Sequence, residues 1–305
     1  MERVRITDVS PRDGLQNEAG VIATADKVRL VDLLSASGVD EVEVTSFVSP
    51  KWVPQLGDAA EVLSKAAAPP TGVVFSALVP NEKGLEGALS VNAARPGLVG
   101  KVSVFTAASE TFARKNTNAS IAETIERFVP VVTRAHEAGL RVRGYVSCVV
   151  ACPFEGAIAP ERVAWVSGRL LEIGVDEIDL GDTIGAGTPG TIREMLDAVL
   201  SACPTLERGG AETLTLHLHD TFGRAAGCVV EALRAGVRSF DGSAGGLGGC
   251  PYASVEGRRA PGNIDTELLV RTIHAEGYRT GVDLGRLAGA GAMAREMVAR
   301  AKGSA

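Results

Sequence analysis

The chain of 305 residues is 45% hydrophobic and 22% charged, with a net charge of −6, which suffices for a large buried core. The absence of a basic run argues against a nucleic-acid partner, and no stretch approaches the roughly 20 apolar residues of a membrane helix. The first residues contain no signal-peptide core, and five scattered cysteines argue against a disulfide scaffold. We therefore expect a cytoplasmic protein with no nucleic-acid partner and no membrane partner.

Short β-branched runs alternate with longer amphipathic segments along the whole chain. This alternation predicts strands over residues 4–9, 41–47, 73–79, 101–106, 142–149, 177–180, 213–219 and 239–243. Helices are predicted to follow, for example over residues 25–36, 59–67, 121–138, 162–173, 191–202 and 225–235. Glycines stand where several of these helices should end, at Gly38, Gly139, Gly174 and Gly236.

Eight such units of about 38 residues predict an α/β fold, a (β/α)8 TIM barrel, as a single domain over residues 1–305. A doubly wound sheet is the structural alternative. It would need a glycine-rich phosphate loop after the first strand, where the sequence has Arg12-Asp13-Gly14 instead. An extra helical segment is predicted at about residues 283–305. It either covers the barrel, contributes to a subunit interface or is a solvated terminal helix.

Unusual polar residues collect at the ends of the predicted strands, where barrels of this kind place their active sites. His217 and His219 lie two residues apart on one strand, so both imidazoles project to the same face. Imidazole is a common ligand of divalent metals, although two hydrogen-bonded core histidines would give the same pattern. With Asp13 and another oxygen donor, the pair would suit Mg²⁺, Mn²⁺, Co²⁺ or Zn²⁺.

A glycine-rich stretch, residues 245–249, follows the eighth predicted strand and leads to Cys250. The stretch could hold a phosphate, but we favour a loop that bends tightly and closes over the site. Cys250 would then be delivered to a bound ligand. The alternative for this cysteine is a small buried hydrophobic residue.

Six segments, in order along the chain, resemble the 3-hydroxy-3-methylglutaryl-CoA lyase family. The group around that family also includes isopropylmalate and homocitrate synthases. The segments are PRDGLQNE (11–18), TSFVSPKWVPQ (45–55), RGYVSC (143–148), LGDTIG (180–185), HLHDT (217–221) and GLGGCPYA (246–253).

The resemblance implies a divalent metal and a set of site residues; we favour Mg²⁺ or Mn²⁺, with Co²⁺ and Zn²⁺ as alternatives. The implied metal ligands are Asp13, His217, His219 and Asn263, with Glu43 and Glu267 behind them. The implied catalytic residues are Arg12 for enolate charge, Glu43 to organise Arg12, Asp182 near the hydroxyl, Cys250 as acid/base, and Asp13 and His217. The implied substrate contacts are Arg12, Gln16, Ser46, Tyr145 and Asp179.

The implied reaction is a retro-Claisen cleavage of 3-hydroxy-3-methylglutaryl-CoA, or a close 3-hydroxy-acyl-CoA, to acetyl-CoA and a ketone such as acetoacetate. An acetyl-CoA-dependent condensing synthase and a metal-binding scaffold without turnover are the alternatives. An acyl-CoA substrate and a homo-oligomer, dimer or higher, are the expected partners.

Two departures from the family pattern leave the acyl substrate open. Asp179 stands where the family usually has Ser, and an inward-pointing carboxylate there would add negative charge at the site. The loop over residues 254–261 is longer than the family's, and its Arg258 and Arg259 could meet Asp179, a substrate carboxylate or a CoA phosphate. A solvated loop tip is the alternative for both arginines.

Overall fold

The computed structural model describes residues 1–18, 20–249, 254–255, 258–259 and 262–303, and it contains a closed barrel of eight parallel strands. The barrel strands are β1 (Arg5–Asp8), β2 (Glu41–Ser46), β3 (Val74–Leu78), β4 (Lys101–Ala107), β5 (Arg141–Ser147), β6 (Glu177–Asp182), β7 (Leu214–Leu218) and β8 (Ser239–Gly242). They follow one another around the barrel in chain order, and β8 closes it by pairing with β1. The predicted TIM barrel is confirmed.

The helices of the described residues surround this barrel. They are α1 (Thr24–Ala36), α2 (Ala59–Lys65), α3 (Glu82–Ala94), α4 (Glu110–Thr117), α5 (Ile121–Glu137), α6 (Pro160–Glu172), α7 (Pro189–Ala202), α8 (Pro204–Gly209), α9 (Ala225–Arg234), α10 (Thr266–Ala275) and α11 (Leu284–Gly303). Two short hairpins lie outside the barrel, one pairing Ala151–Cys152 with Gly156–Ala157 and the other Ser254–Val255 with Arg258–Arg259. The predicted C-terminal helix is confirmed as α11, which packs against α1.

Some predicted and observed boundaries differ, as the starts of two helices and the end of one strand show. The helices α6 and α7 each begin two residues earlier than predicted, because a proline stands at the first position, where it has no amide hydrogen to satisfy. The predicted strand 142–149 ends at Ser147, because Cys148 adopts a positive φ of 61° that leaves the extended conformation. Hydrophobic periodicity alone predicts neither the earlier start of these two helices nor the end of this strand.

The barrel interior is polar, unlike the branched aliphatic layers usual in this fold. Lys101 reaches across it, and its Nζ lies 2.5 Å from Oε2 of Glu41 and 2.6 Å from Oε2 of Glu177. Arg143 is 1% exposed and lies 3.1 Å from Glu41 and 2.8 Å from Glu177. The outward faces of the strands are apolar and pack against the helices, so the core forms a ring around this charged centre.

Candidate active site

A tight π-helical turn, Ser10–Gly14, follows β1 and places two charged side chains at the rim, meaning the end of the barrel at which its strands finish. The Nε of Arg12 donates to Oε2 of Glu43 over 2.6 Å, and its Nη1 donates to Oδ1 of Asp13 over 2.6 Å. Tyr145 donates its hydroxyl to the same Glu43 oxygen over 3.1 Å, and the Arg12 guanidinium lies 5.4 Å from the Tyr145 ring centre. Arg12 is therefore fixed from two sides before any ligand binds.

The two predicted histidines lie beside Asp13. One potential ligand atom from each of Asp13, His217 and His219 falls within 4.8 Å of the others. Asn263 joins this group because its backbone bridges to His219 and its Nδ2 donates to Oδ2 of Asp13 over 2.8 Å. The structure thus brings together the four residues that the resemblance implied as metal ligands.

These residues fit a divalent cation. Among the described residues, Nδ1 of His219 and Oδ1 of Asn263 are buried and have no hydrogen-bond partner. Orphaned acceptors beside a carboxylate are costly unless an ion or water satisfies them. In the described part of the charged centre, six carboxyl groups, those of Asp13, Glu41, Glu43, Glu177, Asp179 and Asp241, face three cations, Arg12, Lys101 and Arg143. Burial raises the pKa of Asp179, and the other five carboxylates exceed the three cations by two charges, which a divalent cation would offset.

The surroundings also shift the pKa values of two candidate ligands, Asp13 and His219. Burial raises the pKa of Asp13, but the charges of Arg12, His217 and His219 outweigh it and hold that pKa well below the usual range. Burial lowers the pKa of His219 to about 4, so its imidazole is neutral at neutral pH. A carboxylate and a neutral imidazole are the forms that bind a metal.

The remaining predicted residues differ in their placement. The Asp182 carboxylate accepts the backbone amides of Ala186 and Gly187, and burial raises its pKa to about 6. Ser46 is buried at the end of β2 and its Oγ accepts from the amide of Val48, while Gln16 is half-buried just after the π-helical turn.

Asp179 and Glu267 complete the predicted set. Asp179 is fully buried on the inward face of β6, three residues before that strand ends, with its Oδ2 3.5 Å from Nη1 of Arg143 and a carboxylate oxygen within 4.8 Å of a ligand atom of His217. Glu267 is the second residue of α10 and pairs with Arg271 at 3.8 Å. The substrate contact of Asp179 and the supporting role of Glu267 stay predictions.

Cys250 and the side chains of Arg258 and Arg259 lie outside the described residues. Their predicted roles, as acid/base and as partners of a carboxylate or a CoA phosphate, stay predictions. The glycine stretch that leads to Cys250 is described as far as Gly249, and Asn17 at the rim donates to the carbonyl of Gly249 over 3.4 Å. The stretch therefore lies over the π-helical turn, as a loop that closes the site would.

The sequence analysis missed the groups that support the site from below. Oδ2 of Asp241, on β8, lies 3.1 Å from Nδ1 of His217, within hydrogen-bond distance. The Asp8 carboxylate, fully buried at the end of β1, accepts from Ser10, Thr266 and the amide of Ala244, and so connects β1, α10 and the base of the glycine stretch. A lone carboxylate within each predicted strand, residues 4–9 and 239–243, was the available signal for both.

A close backbone crossing fixes the glycine stretch above Asn263. A Cβ on Gly262 would lie 2.2 Å from the carbonyl carbon of Gly248 and 2.5 Å from the amide of Gly249. We expect Gly262→Ala to displace the stretch and to lower kcat/KM at least about tenfold, since small displacements of catalytic groups are costly. Steady-state kinetics measures this effect.

Gly289→Ala is the matched control for this prediction, because a Cβ at Gly289 on α11 meets no atom within 4 Å. That variant should keep full activity and unfold at the same or a higher temperature, because alanine favours a helix over glycine. Equal activity of the two alanine variants would contradict the role assigned to the crossing.

The fold and the rim define a (β/α)8 barrel with a candidate metal site and an adjacent arginine at the carboxyl ends of its strands. The sequence matches the HMGL-like family over residues 3–293, and the chain belongs to that family. Belonging to it implies a divalent metal.

Named relatives cover nearly the full chain. The 3-hydroxy-3-isohexenylglutaryl-CoA/hydroxy-methylglutaryl-CoA lyase of Pseudomonas aeruginosa is 46% identical over 303 residues, which are 99% of this chain and 95% of the relative. The mitochondrial hydroxymethylglutaryl-CoA lyase of Gallus gallus is 48% identical over 94% of this chain and 90% of its own. The crystal structure of the HMG-CoA lyase from Brucella melitensis aligns with a TM-score of 0.90 and 46% identity, over 98% of this chain and 100% of that one.

Proposed function

We propose that this protein is a metal-dependent carbon–carbon lyase that cleaves 3-hydroxy-3-methylglutaryl-CoA to acetyl-CoA and acetoacetate. The observation that supports it most directly is the buried Arg12, fixed by Glu43 and Asp13. It lies beside a candidate metal site in which Nδ1 of His219 and Oδ1 of Asn263 have no hydrogen-bond partner among the described residues. Relatives that are named as lyases of this kind and align over nearly the whole chain support the same reaction.

The metal would be held by Asp13, His217, His219 and Asn263. We propose Mg²⁺ or Mn²⁺ because this set offers two oxygen and two imidazole nitrogen donors and no thiolate. When bound, it supplies Lewis acidity that lowers the pKa of the substrate's hydroxyl group. Co²⁺ and Zn²⁺ are the other candidates.

The protein's own residues then perform three tasks. Asp182, or His217 through the ligand shell, accepts the hydroxyl proton; burial raises the pKa of Asp182 to about 6, so its carboxyl group is largely ionised at neutral pH. The C2–C3 bond then breaks. C3 becomes the ketone carbon, and the bonding electron pair moves to C2, which forms the acetyl-CoA enolate. Arg12 stabilises the enolate oxygen, since Glu43 and Asp13 raise its pKa and keep it cationic. An acid then protonates the enolate carbon to complete acetyl-CoA.

We propose Cys250 as that acid, at the end of the glycine stretch. We expect Cys250→Ala to lower kcat about 10²–10⁴-fold, as is typical for the loss of a proton-transfer group, with little change in substrate affinity. Alkylation of the wild type should have the same effect, with substrate protecting, and Cys203→Ala is a control because that cysteine lies buried beside α6, with its Sγ 3.9 Å from the carbonyl of Ala164. Wild-type turnover by Cys250→Ala would mean that this cysteine only fills space.

An assay in both directions tests the function against its alternatives. The chain is incubated with Mg²⁺ or Mn²⁺ and a panel of 3-hydroxy-acyl-CoAs that differ in the C3 substituent, methyl and isohexenyl included. Separately it is incubated with acetyl-CoA and 2-oxoacids. We expect acetyl-CoA release from the methyl compound and no consumption of acetyl-CoA. Net condensation would indicate a synthase, and no reaction in either direction would indicate a scaffold without turnover.

Three further expectations stay predictions beside this function. They are the homo-oligomer of two or more copies, which light scattering after gel filtration would measure, the cytoplasmic location and the single-domain organisation. Within the described residues, no helix is long and apolar enough to cross a bilayer.

A further inference from the structure

His217 has a carboxylate behind it as well as a candidate metal site in front. Asp241 is the register partner of His217 across β7 and β8, so both side chains project into the barrel at the same level. Oδ2 of Asp241 lies 3.1 Å from Nδ1 of His217, and Asp241 is 1% exposed. We propose that Asp241 is a positioning residue, which holds the Nδ1 hydrogen of His217 and so fixes that imidazole with its Nε2 lone pair available to the metal.

The carboxylate can act in this way because it only accepts hydrogen bonds. The ring nitrogen facing it must therefore be the one that bears the hydrogen, and the other nitrogen is left as the ligand atom. A metal-binding histidine whose second nitrogen donates to a carboxylate is held in one tautomer and orientation, and it is a stronger ligand. Without Asp241 both tautomers would be populated, and the tautomer with hydrogen on Nε2 cannot bind a metal there.

Asp241 is itself held in place. Nη1 of Arg143 lies 3.5 Å from Oδ1 of Asp241 and 3.5 Å from Oδ2 of Asp179. Arg143 is in turn fixed by Glu41 and Glu177, which contact its Nη2. Since all these groups are at most 2% exposed, water does not weaken their attraction. The position of Asp241 is therefore set by the charged centre of the barrel and does not depend on a bound ligand.

Asp179 lies beside this pair, with a carboxylate oxygen within 4.8 Å of ligand atoms of His217 and Asp241. Burial raises the pKa of its carboxyl group well above the usual range, and the neighbouring Asp241 charge raises it further. The role proposed for Asp241 depends only on the geometry that joins it to His217.

The most direct test observes the imidazole in the metal-free chain. The chain has only four histidines, so ¹⁵N-histidine NMR can resolve His217, assigned with a His217→Gln variant. Burial lowers the pKa of His217, but the hydrogen bond and charge of Asp241 raise it above its usual value, so the spectrum is recorded at a pH where the ring is neutral. The wild type should then show hydrogen on Nδ1 and a free lone pair on Nε2. Asp241→Asn, which removes the charge and keeps the side-chain shape, should give a mixture of tautomers or the opposite one. An unchanged His217 spectrum in Asp241→Asn would overturn the inference.

A second readout measures metal affinity, and this part rests on the proposed function. Equilibrium dialysis with Mn²⁺ should give a Kd about 10- to 100-fold higher for Asp241→Asn, with kcat recovering at saturating Mn²⁺, as expected for a group that acts through a ligand. A kcat that stays low at saturating Mn²⁺ would contradict a positioning role.

The matched control is Asp40→Asn, which also removes the charge of a buried carboxylate but at the opposite end of the barrel, where Asp40 pairs with Arg3 and the amide of Ile6. It should keep the wild-type tautomer and Mn²⁺ affinity even if it unfolds at a lower temperature, and equal weakening by both variants would overturn the inference. A wild type that shows the Nδ1–H tautomer but binds no Mn²⁺ would contradict the proposed function and leave the Asp241–His217 contact confirmed.

Discussion

Arg12→Gln is expected to reduce kcat about 10²–10³-fold, equivalent to roughly 2.7–4 kcal/mol of transition-state stabilisation, with a smaller change in KM. The buried guanidinium is the cation best placed to meet the negative charge of an enolate, and the glutamine amide offers hydrogen bonds without the charge. Glu43 would also lose its 2.6 Å partner, so a lower unfolding temperature is expected. Steady-state kinetics at saturating metal measures the first effect, and calorimetry measures the second.

Arg95→Gln is a suitable control for Arg12→Gln. Arg95 follows α3, where its Nη1 donates to the carbonyls of Leu63, Ser64 and Ala66, away from the rim. Its removal should cost stability without changing kcat. If both arginine variants lost activity in proportion to their loss of stability, the electrostatic role of Arg12 would be wrong.

Asp13→Ala is expected to abolish measurable cleavage and to remove metal binding at concentrations that saturate the wild type. The change deletes a carboxylate ligand, removes one of the two 2.6 Å contacts of Arg12 and removes one of the two acceptors of the Asn263 amide. In the wild type, metal at 100 times its Kd should raise the free energy of unfolding by about 2.7 kcal/mol. Calorimetry with and without Mn²⁺ should show this increase in the wild type and no increase in Asp13→Ala.

Asp40→Asn provides the comparison for Asp13→Ala, since Asp40 is a buried carboxylate at the opposite end of the barrel, paired with Arg3 and the amide of Ile6. It should weaken the fold while leaving the stabilisation by Mn²⁺ intact. Full activity of chelator-treated Asp13→Ala would rule out the assigned metal site.

The barrel could be predicted from the sequence because strand and helix periodicities alternate eight times along it. The pairing of side chains inside the barrel could not, because it depends on register between strands. His217 and Asp241 are 24 residues apart and meet only because β7 and β8 align them. Asp179 shows the same limit, because the depth at which β6 places its carboxyl group, 3.5 Å from Arg143, was not in the sequence.

The candidate site was predicted in part from residues and in part from resemblance. The spacing of His217 and His219 indicated a shared face, which the structure bears out through their common proximity to Asp13. Asn263 has no local signal and came from the resemblance alone. It lies beside His219 because its backbone bridges to the end of β7, a long-range contact that periodicity does not report.

The most direct test of the proposed function is product analysis with 3-hydroxy-3-methylglutaryl-CoA labelled with ¹³C at C3. Purified chain is stripped with chelator, resupplied with Mg²⁺ or Mn²⁺, and the products are followed by NMR and chromatography. The account predicts equal amounts of acetyl-CoA and acetoacetate, the label appearing as the acetoacetate ketone carbon, with no products in the stripped chain or in Asp13→Ala. The account would be contradicted if the substrate stayed intact after prolonged incubation with either metal. It would also be contradicted if Asp13→Ala formed the products equally well.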